Sequence, residues 1–114
     1  MVKKARRREI PIISEIELAA RWLRGRIVAV TGTKGKSTTT VLTGRMFSEG
    51  GRKAVIGGNI GTALSSQVEQ SRSDVIHVVE VSSFQLELID TFRPWIAVCL
   101  NTVSYTHLTL PTKA

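Results

Sequence analysis

Apolar residues fall along this chain in short dense runs, separated by stretches where they recur every three or four positions. The runs are Ile27 to Val30, Ala54 to Ile56, Asp74 to Val81 and Trp95 to Leu100. Runs that are apolar on both faces suit parallel strands covered by helices. Between them, Ser14 followed by Glu17 predicts a capping box for a helix through Ala19, Ala20, Trp22 and Leu23, stopped by Gly25. A second helix is predicted from about Ser37, with Val41, Leu42 and Met46 inward and Gly50-Gly51 as its stop. A third passes through Ala63, Leu64 and Val68, and a short fourth spans Ser83 to Asp90 before Pro94 introduces the last strand. Upstream, Met1 to Arg8 reads as the end of a helix and Ile10 to Ile13 as a brief strand. Strands alternating with helices across short turns predict an α/β fold: a parallel sheet with flanking helices and right-handed crossovers. The pattern lapses at Val103 to Ala114, which has no glycine turn, helix start or acidic residue and reads as a foreign or disordered tail.

The strand at Ile27 breaks into Thr31-Gly32-Thr33-Lys34-Gly35-Lys36-Ser37-Thr38 at the mouth of the second predicted helix. Free backbone N–H groups and the helix dipole converge there, which suits phosphate. Lys36 can reach terminal phosphates, and the Ser37 hydroxyl can complete a magnesium shell. The usual spacing wants a glycine where this chain has Val30, so the segment reads as a shortened P-loop. The plainer alternative is an ordinary glycine-rich turn.

Alternation along Val75 to Ser82 puts Ile76, Val78, Glu80 and Ser82 on one face, and Val75, His77, Val79 and Val81 on the other. Glu80 therefore sits near the carboxyl end of a buried strand, the rim where ligands bind in open α/β sheets. Left charged and unpaired it would cost several kcal/mol, so it needs a cation or a proton. Nucleotide-borne magnesium is the economical partner, and a salt bridge to Lys36 or to an arginine is the alternative. Asn59, inside Gly57-Gly58-Asn59-Ile60-Gly61, marks either close approach by a ligand or a tight turn. Ser82, Ser83 and Gln85 either line the same cleft or, for Ser83, cap a helix. His77, on the opposite face, reads as a core histidine rather than a base, and Cys99 as core packing.

Composition narrows the class without naming a chemistry. With 42% hydrophobic and 22% charged residues, this is the make-up of a globular domain, and no apolar run nears the ~18 residues of a membrane span. One cysteine excludes an intrachain disulfide and suits a reducing, cytoplasmic setting. The net charge is +7, but Lys3, Lys4, Arg6, Arg7 and Arg8 supply five of those charges before any acid appears. Such a cluster can contact nucleic acid. With no aromatic or further basic stripe beside it, a solvated helix end is the preferred reading, and neither a nucleic-acid nor a membrane partner is expected.

Three blocks together resemble the Mur ligases of peptidoglycan synthesis. They are Gly32-Thr33-Lys34-Gly35-Lys36-Ser37-Thr38-Thr39, Gly58-Asn59-Ile60-Gly61 and Glu80-Val81-Ser82-Ser83-Phe84-Gln85-Leu86-Glu87, with Ile13 to Leu18 and Leu100-Asn101 also fitting. The likeness is to the branch that adds D-glutamate to UDP-N-acetylmuramoyl-L-alanine. It implies an incomplete central ATPase domain of P-loop type, using ATP and Mg2+; a monomer is expected. By the same resemblance, Gly32 to Thr38 bind nucleotide, Lys36 offsets phosphoryl charge, and Ser37 with Glu80 holds magnesium. Asn59, Ser82 and Gln85 would contact the muramoyl substrate, and Lys34 is a looser assignment. Residues 1–13 correspond to the tail of a UDP-binding domain, 14–25 to a linker helix, 26–102 to the first part of the central domain and 103–114 to the tail already noted. The family expects an Asp-His-Leu-Asp segment soon after Asn101. His107 stands six residues on without those acids, so no metal role transfers to it, and the fragment alone is expected to be inactive. Another superfamily member such as folylpolyglutamate synthase, or a non-ligase nucleotide-binding module, is the competing reading.

Overall fold

The computed structural model describes residues 12–58 and 63–101. In chain order these form α1 (Glu15–Ala20), β1 (Arg26–Thr31), α2 (Lys36–Glu49), β2 (Lys53–Gly58), a 3-10 helix (Leu64–Gln70), β3 (Val75–Glu80), α3 (Ser83–Leu86) and β4 (Ile96–Cys99). The strands make one parallel sheet in the order β2-β3-β1-β4. The α/β fold and the parallel sheet are thus as the hydrophobic pattern requires. The expected features at Met1 to Arg8 and Asn59 to Gly61 lie outside the described residues, and Ile12 and Ile13 belong to no strand.

Right-handed crossovers that travel in opposite directions across a sheet place their helices on opposite faces. The packing follows that rule. On one face Val28, Val30, Ile76 and Val78 bury against Phe47 of α2. On the other, Ile27, Ala29, Val79 and Val81 join Leu64 of the 3-10 helix, Ile16 and Ala19 of α1, and Phe92. Each Val or Ile so buried contributes about 1.5–3 kcal/mol relative to exposure. The alternation expected along β3 holds, and every residue of that strand is buried.

Several local expectations change. Val41, Leu42 and Met46 do not face inward; they are 45%, 51% and 71% exposed. The buried stripe of α2 is instead Thr40 and Gly44, with Phe47 beside them. Small residues let the helix lie close to the sheet: a Cβ on Gly44 would stand 2.9 Å from Ile56 Cγ1. The helix through Leu64 is a 3-10 helix, and α3 ends at Leu86 rather than Asp90. Cys99 is exposed, because β4 is an edge strand; a cavity of about 540 Å³ opens between β1, β4 and the 86–94 segment.

The capping box at α1 is only half formed. Ser14 Oγ accepts the Glu17 N–H at 3.3 Å, but the Glu17 carboxylate does not turn back to Ser14. It is fully buried and accepts from the N–H groups of Asp90, Thr91 and Phe92, the Thr91 hydroxyl, and Arg21 Nε at 2.8 Å. Ser14 N–H donates to Leu88 O at 3.0 Å instead. Many donors on one carboxylate outweigh a single cap bond, so α1 is fastened to the turn between α3 and β4. Burial by itself would raise the Glu17 pKa. The hydrogen bonds from Asp90, Thr91, Arg21 and Phe92 overcome it and hold the group at about 2, against an ordinary 4.5.

Two outcomes follow from this packing. A depressed carboxylate contributes stability that is complete above its unfolded pKa and is lost as pH falls through its folded one. The unfolding free energy from denaturant titration should therefore fall as pH drops from 4.5 toward 2, by on the order of 3 kcal/mol in total, and Glu17→Gln should flatten that profile. An unchanged profile in the variant would remove Glu17 as the source. Separately, Gly58 has φ +101°, and a Cβ there would meet Glu80 O at 2.3 Å. Gly58→Ala should destabilise the fold by about 2–5 kcal/mol in urea titration, through backbone collision and left-handed strain.

Candidate functional site

The parallel register sets Val30 of β1 beside Glu80 of β3, and Val81 N–H donates to Val30 O at 2.9 Å. Gly58 of β2 pairs with Glu80 from the other side. Three strands thus end at one rim. The chain leaves β1 to one side, toward β2, and leaves β3 to the other, toward β4, so the crevice between their carboxyl ends is a topological switch point.

The loop after β1 turns on Gly35, at φ +82°, which is also the N-cap of α2. Only a residue without a Cβ takes that conformation at no cost. Thr39 N–H donates to Gly35 O at 3.0 Å and Thr40 Oγ1 to Lys36 O at 2.6 Å, which starts the helix cleanly. No side chain caps α2, and its first turn carries no acid. The leading amides of this fourteen-residue helix have no intrahelical partner, and its positive end carries no acid or cap of its own. Half-buried Lys36 adds a cation at the same point.

Glu80 is 4% exposed, and Ser37 Oγ donates to its Oε2 at 3.1 Å. Among the described residues Glu80 has no ion-pair partner, so the alternative salt bridge to Lys36 or to an arginine is not formed. A hydroxyl and a buried carboxylate, paired beside an anion-receptive helix end, are the two kinds of oxygen ligand that magnesium takes from protein when phosphates supply the rest. Among the described residues no group of three His, Cys, Asp or Glu could form a metal cage, so the donor set fits a phosphate-borne Mg2+ rather than an all-protein metal site. Gly32, Thr33 and Lys34 precede this point in the loop, and Thr38 stands in the first turn of α2.

The residues expected to contact substrate divide differently. Asn59 lies outside the described residues. Ser82, not Ser83, is the N-cap of α3. Its Oγ accepts the Gln85 N–H at 3.2 Å, and its N–H donates to Gln85 Oε1 at 2.9 Å, a full capping box. Ser82 and Gln85, two and five residues beyond Glu80, are thus fixed against each other.

His77 is a core residue, as expected, and faces away from Glu80. Its Nδ1 lies 2.9 Å from Gln67 Oε1 and its Nε2 lies 2.8 Å from Ser71 Oγ. Gln67 Oε1 can only accept, so Nδ1 carries the proton. Ser71 Oγ already accepts from the N–H groups of Arg24 and Gly25, so it donates to Nε2. The neutral ring completes the network, and burial lowers its pKa further from the ordinary value.

One further residue at this rim has no role that sequence pattern alone assigns. Asn101, just past β4, has its side chain wrapped on the loop at Thr33 and Lys34. The sequence offered only its place in Leu100-Asn101 as a signal.

Comparison with known proteins bears on this arrangement. A family model described as the Mur ligase middle domain matches residues 30–110. A protein of Koribacter versatilis named UDP-N-acetylmuramoylalanine–D-glutamate ligase is 49% identical over 100 residues, which is 88% of this chain and 22% of that protein. Proteins of the same name from Solibacter usitatus and Geotalea uraniireducens are 48% and 52% identical, covering 94% and 95% of this chain. The chain spans only 24% and 23% of their respective lengths. The matched segment holds the glycine loop, the buried glutamate and the capped turn after it, and the chain belongs to the Mur ligase family as part of its middle domain.

Proposed function

We propose that this chain is the nucleotide-binding part of an ATP-dependent amide ligase that joins D-glutamate to UDP-N-acetylmuramoyl-L-alanine in peptidoglycan synthesis. The observation that carries this reading is the meeting of Ser37 and Glu80 at 3.1 Å beside the uncapped start of α2. The names of its relatives supply the substrates.

In this reading the loop Gly32 to Thr38 holds the phosphates of ATP. The amides at the start of α2 and the Lys36 ammonium offset charge that builds on the γ-phosphoryl group during transfer. Ser37 and Glu80 would hold Mg2+, which would supply neutralisation of phosphate charge. A carboxylate oxygen of the muramoyl-alanine substrate forms a bond to the γ phosphorus as ADP leaves. The D-glutamate amine then attacks the carbonyl carbon of the acyl phosphate, inorganic phosphate leaves, and the nitrogen loses a proton. Catalysis of this kind rests on holding reactants in line rather than on a protein nucleophile.

Asn59, Ser82 and Gln85 are proposed to face the muramoyl-alanine end, where the capping box would hold Ser82 and Gln85 in place. Residues 26–102 would be the first part of the ATPase domain, 14–25 the link to it, and 1–13 the end of a UDP-binding domain. We place the enzyme in the cytoplasm as a monomer. An exposed, unpaired Cys99 suits a reducing compartment, and among the described residues no helix is long and apolar enough to cross a membrane.

In the full-length ligase, Lys36→Ala should lower kcat/KM for ATP by about 10²–10³-fold, measured as ADP release coupled to D-glutamate addition. Glu80→Gln should instead raise the Mg2+ concentration needed for half-maximal rate by about tenfold or more, read in a metal titration after chelation. Wild-type turnover in Lys36→Ala, or an unmoved metal requirement in Glu80→Gln, would overturn the assignment of the site.

A further inference from the structure

The phosphate loop is held from outside as well as by its own glycines. Asn101 Oδ1 accepts the Thr33 N–H at 2.7 Å, the Lys34 N–H at 3.2 Å and the Thr33 hydroxyl. Its Nδ2 donates back to Lys34 O at 3.0 Å. One side-chain amide thus binds both the donors and the acceptor at the loop apex, 67 positions away in sequence. The orientation of the amide is fixed by this pattern, because a flipped group would set N–H against N–H. Leu100 joins the same clasp: its N–H donates to Thr31 O at 3.0 Å, and its Cβ lies 3.2 Å from where a Cβ on Gly32 would stand.

We propose that Asn101 is a positioning residue that pre-forms the phosphate loop for nucleotide, an inference that rests on the nucleotide reading given above. The clasp divides the labour within the loop. The amides of Thr33 and Lys34 are taken by Asn101, so they shape the turn, while the amides at the start of α2, with Lys36, remain to meet phosphate. A glycine-rich loop has many conformations to lose on binding. Holding its apex in place removes part of that cost before nucleotide arrives. Since β4 pairs with β1 along Val28 to Thr31, the clasp ties the loop to the strand beside the one it grows from.

The test uses the full-length ligase with Asn101→Ala, Asn101→Asp and, as the control, Lys36→Ala. Asn101→Ala should raise KM for ATP about tenfold while kcat stays within about threefold. Its melting temperature without nucleotide should stay within a few degrees of wild type. Asn101→Asp keeps the accepting oxygen but sets a second oxygen against Lys34 O and adds negative charge near the phosphates, so its KM should rise at least as far. Unchanged KM for ATP in Asn101→Ala overturns the inference, as does a fall in melting temperature with no change in KM, which would mark a purely structural residue. Lys36→Ala separates the two levels. If it cripples ATP use while Asn101→Ala does not, the clasp fails and the nucleotide site stands; if neither variant affects ATP use, the nucleotide reading itself fails.

Discussion

The pairing of β1 with β3, with Val30 opposite Glu80, brings the chemistry of this chain together. Parallel neighbours end at the same rim, so a loop that leaves one strand must meet whatever side chain closes the other. Had β3 slipped by one residue, Glu80 would face the α1 side of the sheet and never approach Ser37. The apolar residues enforce the register, since Ile76 and Val78 belong to one buried cluster and Val79 and Val81 to the other.

Around that pairing the sheet is assembled by close approach more than by bulk. Gly58 lies so near the Glu80 backbone that a methyl group would collide with it. Gly44 brings α2 against Ile56, while Val41, Leu42 and Met46 of that helix point outward and Phe47 alone of its large residues packs on the sheet. Small residues therefore share the structural work with Phe47 on the α2 side of the sheet. The opposite face is held by conventional apolar packing, supplemented by the His77 and Glu17 networks.

Much of this was legible in the sequence because it is local. The run Ile27 to Val30, the glycines after it and the hydroxyl-rich helix start are neighbours in the chain, and their geometry is set by their own dihedral preferences. Alternation along β3 likewise fixed which face Glu80 would share. Features that depend on distant partners were not legible. Glu17 looks like half of a capping box in the sequence, since all its donors but Arg21 stand more than seventy residues away. The inward stripe of α2 is not legible either: hydrophobicity points to Val41, Leu42 and Met46, whereas the helix buries Thr40 and Gly44, the latter close against Ile56. Cys99 was assigned to the core on residue type, and its place at a sheet edge decided otherwise.

The Glu17 anchor carries a consequence for how this segment can vary. Its carboxylate grips the turn mostly through main-chain amides of residues 90, 91 and 92, so the side chains at Asp90 and Phe92 are not what is recognised there. Asp90, an exposed side chain, can change identity with little effect on those bonds, whereas Phe92 is held to its type by the core it packs in. Proline is the one residue all three positions forbid, because it would present the buried charge with a ring in place of a donor.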